Sequence, residues 1–127
     1  MNEDDLKQIF VNYLKKNNFC FRTEVGMLEC RIDVVGKKKR KLYAYELKIE
    51  HWKKAIQQAI LYQLFADYSC IVMYKENLHR LRIKKCQDLG LGVFSLDSKG
   101  HLSCILQPKK STIINPSLYK RLTKKFE

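Results

Sequence analysis

No stretch of the sequence approaches the roughly 18 consecutive apolar residues that span a bilayer, and Met1 to Asp5 is acidic where a secretory leader is basic and then apolar. An intracellular protein is expected, cytoplasmic or nuclear, neither exported nor membrane-bound. Cysteine is present but never clustered. Cys20, Cys30, Cys70, Cys86 and Cys104 are an odd count with no CxxC and no Cys/His group, which argues against a disulfide framework and against a zinc or iron–sulfur centre. Their apolar neighbours, as in Phe19-Cys20-Phe21 and Ser69-Cys70-Ile71-Val72, suggest reduced thiols in the core.

Acidic residues are scarce. Against 25 Lys and Arg stand 13 Asp and Glu, a net charge of +12, which repels cations and draws the chain to polyanions. Nucleic acid is the natural partner, although ribosomal and membrane-surface proteins share this balance. Internal repeats and low-complexity linkers are also lacking. With 127 residues, 46% of them hydrophobic, a single domain with its own core is expected over 1–127.

Residues 3–16 place Leu6, Ile9, Phe10, Tyr13 and Leu14 at helical spacing, with acids in the first turn and Lys15, Lys16 in the last, as the helix dipole favours. Asn17-Asn18 stops this helix. Strands follow at 19–25 and 28–35 around a turn at Gly26, then a turn through Gly36 and Lys37–Lys41, then a strand over 42–49. From Trp52 to Tyr68 an apolar stripe without Gly or Pro predicts a second helix, and 69–74 a buried strand. A basic helix within 78–89, a hairpin of 92–97 and 101–106 turning at Asp97–Gly100, and a helix after Pro116 complete the reading. The order is αβββαβ over 3–74, with a C-terminal hairpin and basic tail over 75–127: an α/β fold with a mixed central sheet.

Strand alternation assigns the acids a direction. Tyr43, Tyr45, Leu47 and Ile49 share one face, while Ala44, Glu46, Lys48 and Glu50 share the other, which is expected to look outward. By the same parity Ile32 and Val34 lie on one side of the preceding strand and Arg31, Asp33 and Val35 on the other. Pairing of the two strands would bring Asp33 and Glu46 together. Two carboxylates held close repel one another, and a magnesium ion, which prefers carboxylate, water and phosphate oxygens, relieves the repulsion. Lys48 on the same face can orient a water or stabilise transition-state charge. A solvated strand face bearing weak ion pairs would contain the same residue types.

Arg31-Ile32-Asp33-Val34-Val35, followed by a turn and by Tyr45-Glu46-Leu47-Lys48, resembles the PD-(D/E)XK nuclease signature, with isoleucine where the motif has proline. Gln58-Ala59-Ile60-Leu61-Tyr62 is similar to the QxxxY motif of RecB-like members. The resemblance implies a restriction-endonuclease-like fold and a deoxyribonuclease that uses Mg2+, with Mn2+ as a substitute. It implies that Asp33, Glu46 and the Leu47 carbonyl hold the metal, that Lys48 assists the water, that Glu24 is an additional acid, and that Gln58 and Tyr62 line the site. Repair or recombination is the expected setting; a Holliday-junction-resolving endonuclease and an inactive nucleic-acid-binding module of the same fold are the alternatives. A domain this small suggests a homodimer on duplex DNA. The run Lys37, Lys38, Lys39, Arg40, Lys41 is open to three readings: a phosphate grip beside the site, a nuclear import signal, or a solvated turn. His51, His79 and His101 are expected at the surface.

Overall fold

The computed structural model describes residues Met1–Glu127. Helix α1, Glu3–Lys16, starts at a capping box in which the Asn2 side chain accepts from the Asp5 amide and Asp5 reaches back to the Asn2 amide. Three antiparallel strands follow, β1 (Cys20–Met27), β2 (Cys30–Lys38) and β3 (Lys41–Lys48). Helix α2 (Trp52–Tyr62) then crosses to β4 (Tyr68–Tyr74), which lies parallel to β3. A 3-10 turn (Lys75–Arg80) and the short helix α3 (Ile83–Leu89) lead to β5 (Gly92–Leu96), parallel to β4. Strand β6 (Leu102–Leu106) pairs back on β5, and α4 (Pro116–Lys124) follows.

All six strands form one mixed sheet, ordered β1-β2-β3-β4-β5-β6. The αβββαβ core expected from the sequence is present, and the C-terminal hairpin extends the same sheet. Gly92 is needed for that extension: a Cβ there would meet Cys70 Sγ at 2.9 Å and Pro108 at 2.9 Å, closer than van der Waals contact.

Both faces are covered. Leu6, Phe10, Val11 and Leu14 of α1 pack with Val34, Tyr45, Leu47, Cys70 and Val72 on one face. On the other, Tyr62 of α2, together with Phe65, Ala66 and Leu122 of α4, packs on Val25, Ile32, Val35, Leu42 and Ala44. The even-numbered face of β3 is therefore not a solvent face, because α2 and α4 lie over it. No helix is long and apolar enough to cross a membrane.

Three local expectations need correction. Gly26 lies inside β1, and the chain turns two residues later at Leu28-Glu29. Strand β2 runs on through Gly36, Lys37 and Lys38, so the turn is only Lys39-Arg40, both left-handed (φ 52° and 66°). That is the backbone of a two-residue type I′ hairpin, which favours Asn-Gly because an L side chain at positive φ crowds its own carbonyl. Thirdly, α2 ends at Tyr62, six residues short of the expected Tyr68, and the turn after it contains a buried acid, Asp67. Asp67 Oδ2 accepts from the Leu42 amide (2.8 Å) and the Tyr119 hydroxyl (2.6 Å). The basic tail is thereby bound to the core, helped by Ser111 N–H to the Asp67 carbonyl (2.8 Å) and Asn115 N–H to the Leu64 carbonyl (2.9 Å).

Replacing Lys39 and Arg40 by Asn and Gly should raise the stability to unfolding by about 1–2 kcal/mol, since it removes two strained left-handed residues. Urea denaturation measures this; an unchanged or lowered midpoint would show that the turn is not strained.

Candidate active site

Hairpin β2–β3 brings the sequence-predicted acids together by a departure from regular pairing. The β2–β3 ladder runs from Lys38–Lys41 to Val34–Tyr45 and stops there. One step further, the Leu47 amide is bound by the Asp33 side chain (Oδ2, 2.9 Å) rather than by backbone. Across β1, Glu24 stands opposite Asp33 but the two do not pair, and Glu24 has a left-handed φ of 52°. Alternation breaks at this point. Val34 packs on the α1 side, whereas Ile32 and Val35 both pack on the α2 side, so the expected placement of Ile32 with Val34 fails. Asp33 nevertheless reaches Glu46, through the kink rather than through simple parity.

Glu46 is 4% exposed, enclosed beneath α2. Its Oε1 accepts a 2.5 Å hydrogen bond from Tyr62, and its Oε2 lies 3.6 Å from Lys48 Nζ. Burial and the neighbouring Asp33 charge push the Glu46 carboxyl up to about 7, against the opposing pull of the Tyr62 hydroxyl and the Lys48 ammonium. Burial raises Asp33 as well, opposed by the Leu47 amide, by Glu46 and by Lys48. Tyr62 is held well above the ordinary phenol range by burial and by Glu46, so it remains a proton donor.

The first turn of α1 reaches over this end of the sheet. Glu3 lies 3.8 Å from Lys48 Nζ, and Lys7 binds Glu24 at 2.7 Å. Glu3, Asp4, Lys7, Glu24, Asp33 and Leu47 line a cleft of about 60 Å3. Glu24 thus faces the acids as expected, but Lys7 engages it. Glu3 and Lys7 were missed because in the sequence they read only as part of an amphipathic helix.

Other expected residues lie elsewhere. Gln58 sits one turn before Tyr62 on α2 and opens onto a separate cleft of about 610 Å3, beside His51, Lys53, Lys54 and Arg80. Lys37, Lys38, Lys39 and Arg40 stand at the opposite end of the β2–β3 hairpin, about 17 Å from Glu46 at the rise of a strand, and do not flank the acids. Cys20 and Cys104 are exposed rather than core, while Cys70 and Cys86 are buried.

Whether the acids suit a divalent ion can be judged from their free oxygens. No group of three or more Asp, Glu, His or Cys side chains converges on a metal position. Asp33 and Glu46 each keep one oxygen without a hydrogen-bond donor, and since no buried side-chain oxygen lacks a partner, both free oxygens reach solvent. Two carboxylates that leave most of a coordination shell to water and phosphate fit magnesium's habit.

No family profile and no curated protein matches the chain. Among solved structures it is similar to a protein of unknown function from Silicibacter pomeroyi, at 17% identity and a TM-score of 0.78 over 99% of this chain and 84% of that one. A second protein of unknown function is similar at 16% identity and a TM-score of 0.59, over 74% of this chain and 58% of its own. These likenesses show the fold.

The raised Glu46 carboxyl sets the sign of a stability effect. Below about pH 4.5 Glu46 is protonated whether the chain is folded or not; between 4.5 and 7 only the unfolded chain ionises, so folding loses stability as pH rises and the loss is complete above 7. In chelating buffer, Glu46→Gln should therefore stabilise the protein at pH 8, by as much as roughly 3 kcal/mol, with the gain gone by pH 4. Equal pH profiles for the two proteins in thermal unfolding would contradict this placement of Glu46.

Proposed function

We propose that the chain is a magnesium-dependent nuclease of the PD-(D/E)XK type that hydrolyses phosphodiester bonds in DNA. The carrying observation is the convergence of Asp33, Glu46 and Lys48 at one end of the sheet, with Lys48 Nζ 3.6 Å from Glu46. The αβββαβ order, the (D/E)xK spacing of Glu46 and Lys48 on β3 and the bond from Tyr62 to Glu46 support the same reading.

Asp33, Glu46 and the Leu47 carbonyl would hold the ion. Bound there, magnesium lowers the pKa of a water and neutralises charge on a phosphate oxygen. Tyr62 fixes one Glu46 oxygen, leaving the other for coordination. The Leu47 amide does the same for Asp33, so each carboxylate is oriented before any ligand arrives. Lys48 is 14% exposed and held between Glu46 and Glu3, which aims its ammonium at the same position. Its part is to orient the attacking water and to meet the charge that develops on the phosphate. DNA is preferred as substrate on the resemblance, with the +12 charge as the attraction.

Lys48→Ala should lower single-turnover cleavage about 100-fold to 1000-fold while changing DNA affinity little, because one lysine is a small part of the positive surface. A variant that cuts as fast as the parent would sink the assignment and favour a binding module. Asp33→Ala and Glu46→Ala should each abolish magnesium or manganese binding in calorimetry; retention of binding by both would remove the metal from the proposal.

A further inference from the structure

The largest group of unpaired cations is not at the acids. Arg22, Lys37, Lys38, Lys39 and Arg40 surround a cleft of about 560 Å3 at the far end of the β2–β3 hairpin. No carboxylate lies within salt-bridge distance of any of them; the chain's ion pairs involve Lys7, Arg31, Lys48, Lys84 and His101 instead. Aromatic rings hold three of the cations in place. Arg22 and Lys37 lie over Phe126 at 5.2 and 6.0 Å, and Lys38 lies over Phe19 at 5.0 Å. Arg22 also donates to the carbonyls of Lys125 and Phe21, at 3.2 and 2.9 Å. The remaining two, Lys39 and Arg40, occupy left-handed positions that suit Asn and Gly better.

Self-repulsion among fixed like charges is unfavourable, and a ligand that supplies several negative charges at regular spacing relieves it. We propose that this cleft is a second DNA-binding site, which grips backbone phosphates away from the acidic centre. A concave wall of fixed cations suits a strand backbone. A lipid surface fits less well, because the exposed large apolar side chains (Met1, Leu28, Ile105 and Ile113) are all outside the cleft. The separation of about 17 Å corresponds to roughly five base pairs at 3.4 Å each. Without a cation, the acids Glu3, Asp4, Glu24 and Asp33 repel phosphate. DNA binding therefore needs no metal.

The proposal extends the nuclease reading to how substrate is held, and its test does not depend on cleavage. Cys20 is exposed and lines the cleft, whereas Cys104 is exposed on β6 at the other edge of the sheet. In chelating buffer, saturating DNA should slow alkylation of Cys20 by N-ethylmaleimide at least about tenfold, read by mass spectrometry, and leave Cys104 unchanged; added salt should remove the protection. Equal protection of both thiols, no protection, or protection of Cys20 by phosphatidylserine vesicles but not by DNA would each overturn the site. The Lys39→Asn/Arg40→Gly variant gives the second arm. It should bind DNA more weakly, with the slope of log affinity against log salt reduced by about 2; an unchanged slope counts against the site. Cys20 protection in a protein that never cuts would end the nuclease reading alone, while cutting without Cys20 protection would end this proposal alone.

Discussion

A carboxylate buried beside another carboxylate is the unfavourable arrangement around which this fold is organised. Glu46 is buried in the strand that α2 covers, with the half-buried Asp33 next to it. The compensating groups come from two elements, Tyr62 from α2 and both the Leu47 amide and Lys48 from β3, with Glu3 of α1 behind the lysine. The kink at Asp33 belongs to the same arrangement. A regular β2 would present Asp33 to the ladder; instead its side chain takes over a ladder bond and its backbone leaves the pairing. The acids are therefore set by the hairpin itself rather than by a flexible loop.

Charge is distributed along the same hairpin in opposite senses. Near Asp33 the cleft is rich in carboxylates, and in the one near Lys39-Arg40 every charged lining residue is a cation. At physiological salt these ends lie beyond a Debye length of about 8 Å, so each presents its own sign to a ligand. Long-range attraction and local chemistry are assigned to different residues. A charge count of +12 describes the first and conceals the second.

Much of the fold was legible in the sequence because period and turn chemistry act locally. The 3.6-residue stripe of α1, the β-branched run of β2 and the Pro116 start of α4 each depend on neighbouring residues only. What escaped depends on partners far along the chain. The even face of β3 looked solvated because Glu46 and Lys48 are charged, and only the three-dimensional position of α2 and α4 makes it interior. Lys37–Lys41 read as a turn because it is polar, yet Lys37 and Lys38 hold ladder positions and their ammonium groups lie over aromatic rings. Phe19-Cys20-Phe21 read as core, but in an edge strand alternation turns Cys20 outward between its two half-buried neighbours. Gln58 and Tyr62 share a flank of α2, but one helical turn of rise is enough to put only Tyr62 on the acids.

The clasp between Asp67 and Tyr119 bears on how the chain acquires its structure during synthesis. Because strand order in space follows strand order in sequence, each strand can dock on its predecessor as it emerges. Helix α4 cannot, since its contacts reach back 52 residues to Asp67 and, from Lys125, 103 residues to Arg22. Until it arrives, the Glu46 side of the sheet lacks one of its covers and Asp67 lacks its phenol partner. A nascent chain would thus pass through a stage with a formed hairpin and an unclasped tail, in which Asp67 still holds the Leu42 amide but not the phenol. Closure of the Leu42 end of the sheet therefore waits on the last helix of the chain, which the carboxylate pair at the other end does not contact.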